Sequence, residues 1–149
     1  MLQLLKSLFV SDPTQRLTKT RDKKYQEALM FQRSGELRGY ARLMAEIHEI
    51  DAQIEALLAD LKEHAPKLYP LVKFLSESGV RSVDAARLRW KDVGEGRVLI
   101  KPGKGKGHTR LIPGTVDLAP GHPEAPVFGM TKRQLEVRWH RFKERHEHW

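Results

Sequence analysis

The chain contains no cysteine, which excludes disulfides, thiolate metal ligands and cysteine nucleophiles. No apolar run approaches the roughly eighteen residues needed to cross a bilayer. Met1 to Val10 is apolar, but it lacks a basic leader and a small-residue cleavage site, so it makes a poor signal peptide. Apolar residues amount to only 40 %, whereas 31 % of the chain is charged, so the core must be modest. These absences lead to the expectation of a soluble, cytoplasmic protein. Its 149 residues allow one ordinary domain or two small ones.

What is present in excess is positive charge. Twenty-seven Lys and Arg against nineteen Asp and Glu give a net charge of +8, which calls for a polyanionic partner. The excess is unevenly placed. Residues 1–62 carry ten basic and nine acidic side chains, residues 63–149 seventeen and ten. Glycine shifts with it, since only Gly35 and Gly39 precede residue 62. Two units are expected, 1–62 and 63–149.

The first unit reads as a helical hairpin. Asp12-Pro13-Thr14-Gln15 has a capping residue, a proline for the first helical position and a glutamine at the capping-box site. Helix one then runs to about Arg33, with Leu17, Tyr25, Ala28 and Leu29 on one face. Ser34-Gly35-Glu36 interrupts the pattern. A second helix follows, with Leu37, Tyr40, Met44, Ile47, Ile50, Ile54, Leu57 and Leu61 spaced by three and four. A hairpin alone buries little, so Leu2, Leu4, Leu5, Leu8 and Phe9 are expected over its seam rather than on a membrane. The apolar start, Asp12-Pro13, the run Ala28 to Tyr40 and Ala45-Glu46-Ile47 resemble a family of short uncharacterised bacterial helical-hairpin proteins, over roughly residues 1–58. That resemblance implies a fold and no chemistry.

The second unit changes period. Lys67 to Ser78 reads as an apolar helix with Pro70 in its first turn and Gly79 ending it. Ser82 to Leu88 begins another helix, with Ser82 as its expected cap. Arg97 to Lys101 reads as a strand, Gly103-Lys104-Gly105-Lys106-Gly107 as a turn, and His108 to Ile112 as a returning strand stopped by Pro113. Leu88, Trp90 and Val83 read as core. Thr131-x-x-Gln134 is a capping box opening a basic helix with Leu135, Val137, Trp139 and Phe142. The expected class is mainly α with a small antiparallel β-hairpin, α+β. The glycine-lysine turn is not a phosphate-binding P-loop, because no Gly-Lys-Ser/Thr follows at the right spacing. His140, His146 and His148 read as a solvated helix end; neither metal nor cofactor is expected.

The order Ser78-Gly79-Val80-Arg81-Ser82-Val83-Asp84, then Leu88-Arg89-Trp90-Lys91-Asp92, then a Gly-Lys-Gly hairpin closing in Arg110-Leu111-Ile112-Pro113, resembles the first half of a tyrosine recombinase (phage integrase) catalytic domain. The likeness spans roughly residues 66–145. It implies that Arg81 matches the first catalytic arginine, which grips the scissile phosphate. It implies that Asp84 helps position the arginine helix, and that Lys104 or Lys106 is the hairpin lysine acting as general acid. Lys104 is the first choice, since Gly103-Lys104-Gly105 reproduces the usual setting.

Half of that family's machinery is missing from these residues. No His-x-x-Arg occurs, and the only tyrosines, Tyr25, Tyr40 and Tyr69, precede Arg81. Strand cleavage is therefore not expected. The leading expectation is a non-catalytic DNA-binding protein, derived from a truncated recombinase fused to a hairpin. Arg81, Arg87, Lys101, Lys104, Lys106 and Arg110 would contact phosphates. The alternative is an interaction or inhibitory module, self-associating or pairing with a protein partner through the hairpin. An active recombinase with its nucleophile supplied in trans is the third reading.

Overall fold

A computed structural model describes residues 14–103 and 107–146. The apolar start and Asp12-Pro13 lie outside the described residues, as do Lys104, Lys106 and His148. The described residues are mainly helical with one two-stranded antiparallel sheet, the α+β class expected.

Helix α1 spans Gln15–Ser34 and α2 spans Leu37–His64. Gly35 joins them at φ 76°, a left-handed conformation that glycine adopts without a Cβ penalty. Its amide donates to the Gln32 carbonyl and that of Glu36 to Phe31, closing the helix end. The helices then run back antiparallel. Ala28, Leu43 and Ile47 form a buried seam flanked by Phe31, Tyr40 and Met44. Gly39 is buried in this seam, where a Cβ would lie 2.9 Å from the Phe31 ring. Lys24 pairs with Glu46, and Arg21 with Asp51 at 3.4 Å, fixing the register from outside. Two expected seam residues face solvent instead. Tyr25 is 48 % and Leu37 74 % exposed, because three buried side chains suffice for a seam this narrow.

Helix α2 continues unbroken through residue 62, where composition shifts. Its last turns contribute Leu57 and Leu61 to the larger core, together with Leu68, Phe74, Leu75, Val98, Leu135 and Phe142. The hairpin's far end is thus built into the basic half. Helix α3, Tyr69–Ser78, has Pro70 in its first turn and ends at Gly79 with φ 64°. Helix α4 is short, Ser82–Ala86. A 3-10 turn at Trp90–Asp92 leads into β1, Arg97–Ile100, which pairs with β2, Arg110–Pro113, in the register Val98 opposite Ile112.

Residues 114–131 form a long connection pinned to the 3-10 turn. Trp90 and Lys91 amides donate to the Ala125 and Pro123 carbonyls, and Val127 donates to Leu88. Helix α5, Lys132–Arg145, opens with the expected capping box, Thr131 accepting from the Gln134 amide while Gln134 accepts from Thr131. Leu135, Trp139 and Phe142 point inward, but Val137 is 43 % exposed, because it lies off the stripe that those three define.

Two further expectations change. Ser82 does not cap α4: Arg81 occupies the cap position, and Ser82 is the first helical residue. The Ser82 hydroxyl is buried and has no hydrogen-bond partner among the described residues. Val83 is half-buried and stands outside the main cluster, whereas Leu88 is 3 % exposed within it and Trp90 packs on its edge.

Candidate nucleic-acid interface

The sequence places its candidate residues on two elements far apart in the chain, α4 and the β-hairpin. One carboxylate joins them. Asp84, in the middle of α4, accepts a hydrogen bond from the Gly103 amide at 3.3 Å. The Arg87 guanidinium lies over the same glycine, with Nη1 2.5 Å from where a Cβ would stand. Absence of a side chain at Gly103 is what permits this approach. Gly107 lies against Pro102, while Lys104 and Lys106 lie outside the described residues.

Arg81 is exposed at the head of α4, and its extended backbone starts the helix. Arg87 and Arg110 are also exposed, Arg110 opposite Ile100 at the end of the strand pair next to the connecting segment. Neither Arg81, Arg87 nor Arg110 pairs with a carboxylate among the described residues. Lys101 differs from them. Its ammonium pairs with Asp92, whose side chain is only 8 % exposed, so Lys101 neutralises a nearly buried charge. Of the six expected phosphate contacts, three have no ion-pair partner among the described residues, one is committed, and two, Lys104 and Lys106, lie outside the described residues.

Other charges in this half serve the architecture. Glu124 accepts from Lys91 at 2.8 Å and from Arg89 at 2.8 Å, clamping the long connection to the 3-10 turn. Those two cations hold the Glu124 carboxyl below its ordinary 4.5, Lys91 having the larger effect. Lys73 donates to Asp117 at 3.3 Å, which raises its pKa.

The tyrosines offer no nucleophile near α4. Tyr25 is on the outer surface of the hairpin and Tyr40 beside its seam. Tyr69 packs against the main core, with the Lys62 and Lys73 ammonium groups 5.6 and 5.9 Å from its ring. His140 pairs with Glu144 at 3.2 Å, and His146 stacks on Phe142. Among the described residues no group of three or more His, Asp or Glu could hold a metal ion. No helix of the described residues is long and apolar enough to cross a membrane.

A second basic surface, on α5, was not singled out from the sequence. Arg138, Arg141 and Arg145 recur at spacings of three and four, one stripe beside the buried stripe of Leu135, Trp139 and Phe142. The helix reads as basic throughout, and only the spacing against the buried stripe separates these three from the rest.

Comparison with known families assigns part of the chain. Residues 1–57 match a family of unknown function (DUF6435). The match covers the hairpin and stops short of both clusters just described, so it brings a relationship and no activity. No curated protein and no solved structure matches the chain. Nothing in these comparisons supports the recombinase resemblance of residues 66–145.

Proposed function

We propose that the protein is a non-catalytic DNA-binding protein whose basic half holds the phosphate backbone through α4 and the β-hairpin. The observation that carries this reading is the Gly103–Asp84 hydrogen bond with Arg87 lying alongside. It holds Gly103, the residue before Lys104, against a short helix flanked by Arg81 and Arg87, neither of which pairs with a carboxylate among the described residues. Exposed cations without carboxylate partners keep their full charge for a polyanion, and arginine's forked donors suit phosphate oxygens. Binding of this kind reads backbone rather than sequence.

The same arrangement supports descent of residues 66–145 from the first half of a tyrosine recombinase catalytic domain. Helix, arginine, short helix, β-hairpin with a lysine turn, and basic helix follow in that family's order. Within these residues one phosphate-gripping arginine, Arg81, and one general-acid candidate, Lys104 or Lys106, are present. The second arginine's box and a tyrosine beyond Arg81 are not. A site with one of its two arginines and no nucleophile binds a phosphodiester without breaking it.

Duplex binding followed by fluorescence anisotropy tests this. Exchanging Arg81 and Arg87 together for Gln should weaken binding at least tenfold, equally for unrelated sequences. A nicked suicide substrate should yield no covalent adduct. Unchanged affinity in the double variant would remove the proposed site. An adduct that disappears in Tyr69→Phe would establish an enzyme instead.

A further inference from the structure

Where α2 ends and α5 passes it, the surface folds into a cleft of about 520 Å³. Its floor is apolar, formed by Ala65, Pro66 and the exposed His64 ring over the buried Leu68 and Phe142. Its rim is cationic, with Lys67, Arg138, Arg141 and Arg145, and among the described residues no carboxylate lines it. None of those three arginines pairs with an acid among the described residues. Like charges at three- and four-residue spacing repel one another on a helix, which destabilises α5 unless an anion sits between them. Two neighbouring depressions of about 440 and 530 Å³ share Arg138, so this guanidinium stands where three concave surfaces meet. At the inner end the rings of His64 and His146 lie 4.6 Å apart, and His146 stacks on Phe142. The cleft thus offers an aromatic wall beside a fork of phosphate-binding groups.

We propose that this cleft binds a nucleoside 5′-phosphate, its phosphate held by Arg138, Arg141 and Lys67 and its base laid against the floor of His64, Ala65 and Pro66. The cleft is far larger than an inorganic anion needs, and its apolar floor would stay wet beneath a bare phosphate. A flat base covers that floor while the dianion neutralises the rim. The same chemistry comes from a free nucleotide or from the 5′-phosphorylated end of a strand. This site is separate from the α4 and β-hairpin surface and rests on no part of the DNA-binding proposal.

Calorimetric titration of the full chain tests it with adenosine 5′-monophosphate, inorganic phosphate and adenosine as probes. The nucleotide should bind at least tenfold more tightly than either fragment. Arg138→Gln and Arg141→Gln should each weaken it at least fivefold, while Arg81→Gln leaves it unchanged. Both arginines are on the surface, and circular dichroism of the variants verifies that α5 is intact. A ten-nucleotide strand with a 5′-phosphate separates the sources. Tighter binding than the free nucleotide assigns the site to strand ends, and equal or weaker binding assigns it to free nucleotide. Equal affinity for phosphate and nucleotide would overturn the proposal, as would folded Arg138 and Arg141 variants that bind like the parent.

Discussion

At the residue scale the most informative side chain is Ser82. A serine ahead of a helix reads as a cap, and a working cap contributes about 1 kcal/mol. Here its hydroxyl is buried with no partner among the described residues. Burying an unsatisfied hydroxyl costs about 1–3 kcal/mol, so its removal relieves that cost. Ser82→Ala should therefore leave stability unchanged or raise it by up to ~1 kcal/mol in urea unfolding. A loss of ~1 kcal/mol would restore the capping role. Glu124 gives a second test. Its carboxyl is held low by Lys91 and Arg89, so the native state binds this proton less readily than the unfolded chain. The clamp's stabilisation is fully present above pH 4.5 and is lost as pH falls through the lowered native value. NMR titration should place the Glu124 midpoint below 4.5 in the parent and move it upward in Lys91→Ala. An unmoved midpoint would mean that the ion pair does not form in solution.

At the scale of elements, the hairpin owes its closeness to Gly39 facing Phe31. Gly39→Val places branched carbon against that ring, and overpacking of this kind costs about 1–3 kcal/mol. Urea unfolding should show that loss, even though glycine in a helix interior is itself unfavourable. A more stable variant would mean that the helices part without penalty near the turn. The helices were legible in the sequence because three-and-four spacing, Gly35, Gly79 and the Thr131–Gln134 box are local signals. Exposure of Tyr25, Leu37 and Val137 was not, because it depends on how wide the opposing surface is. Candidate site residues follow the same division. Residue types and order pointed to Arg81, Asp84 and Arg87. That Asp84 would accept from Gly103, and that Lys101 would be spent on Asp92, are contacts across 19 and 9 residues that no local pattern encodes. The arginine stripe of α5 is not legible in the sequence, because the cleft it borders is formed by residues 64–68, distant in the chain.

At the scale of the whole molecule, a nearly neutral hairpin is joined to a basic half, and the join is structural. Leu57 and Leu61 carry α2 into the larger core, so the hairpin and the basic half share one hydrophobic cluster. Salt dependence of duplex binding tests the proposed phosphate contacts most directly, since each phosphate neutralised adds roughly 0.9 to the slope of log affinity against log salt. The three arginines unpaired among the described residues, with Lys104 and Lys106 added, predict a slope of about −2.7 to −4.5, and a loss of roughly 40- to 500-fold between about 50 and 200 mM salt. Arg81→Gln with Arg87→Gln should flatten that slope by about 2. A duplex bound no more tightly at the lower salt, or not bound at all, would contradict the account.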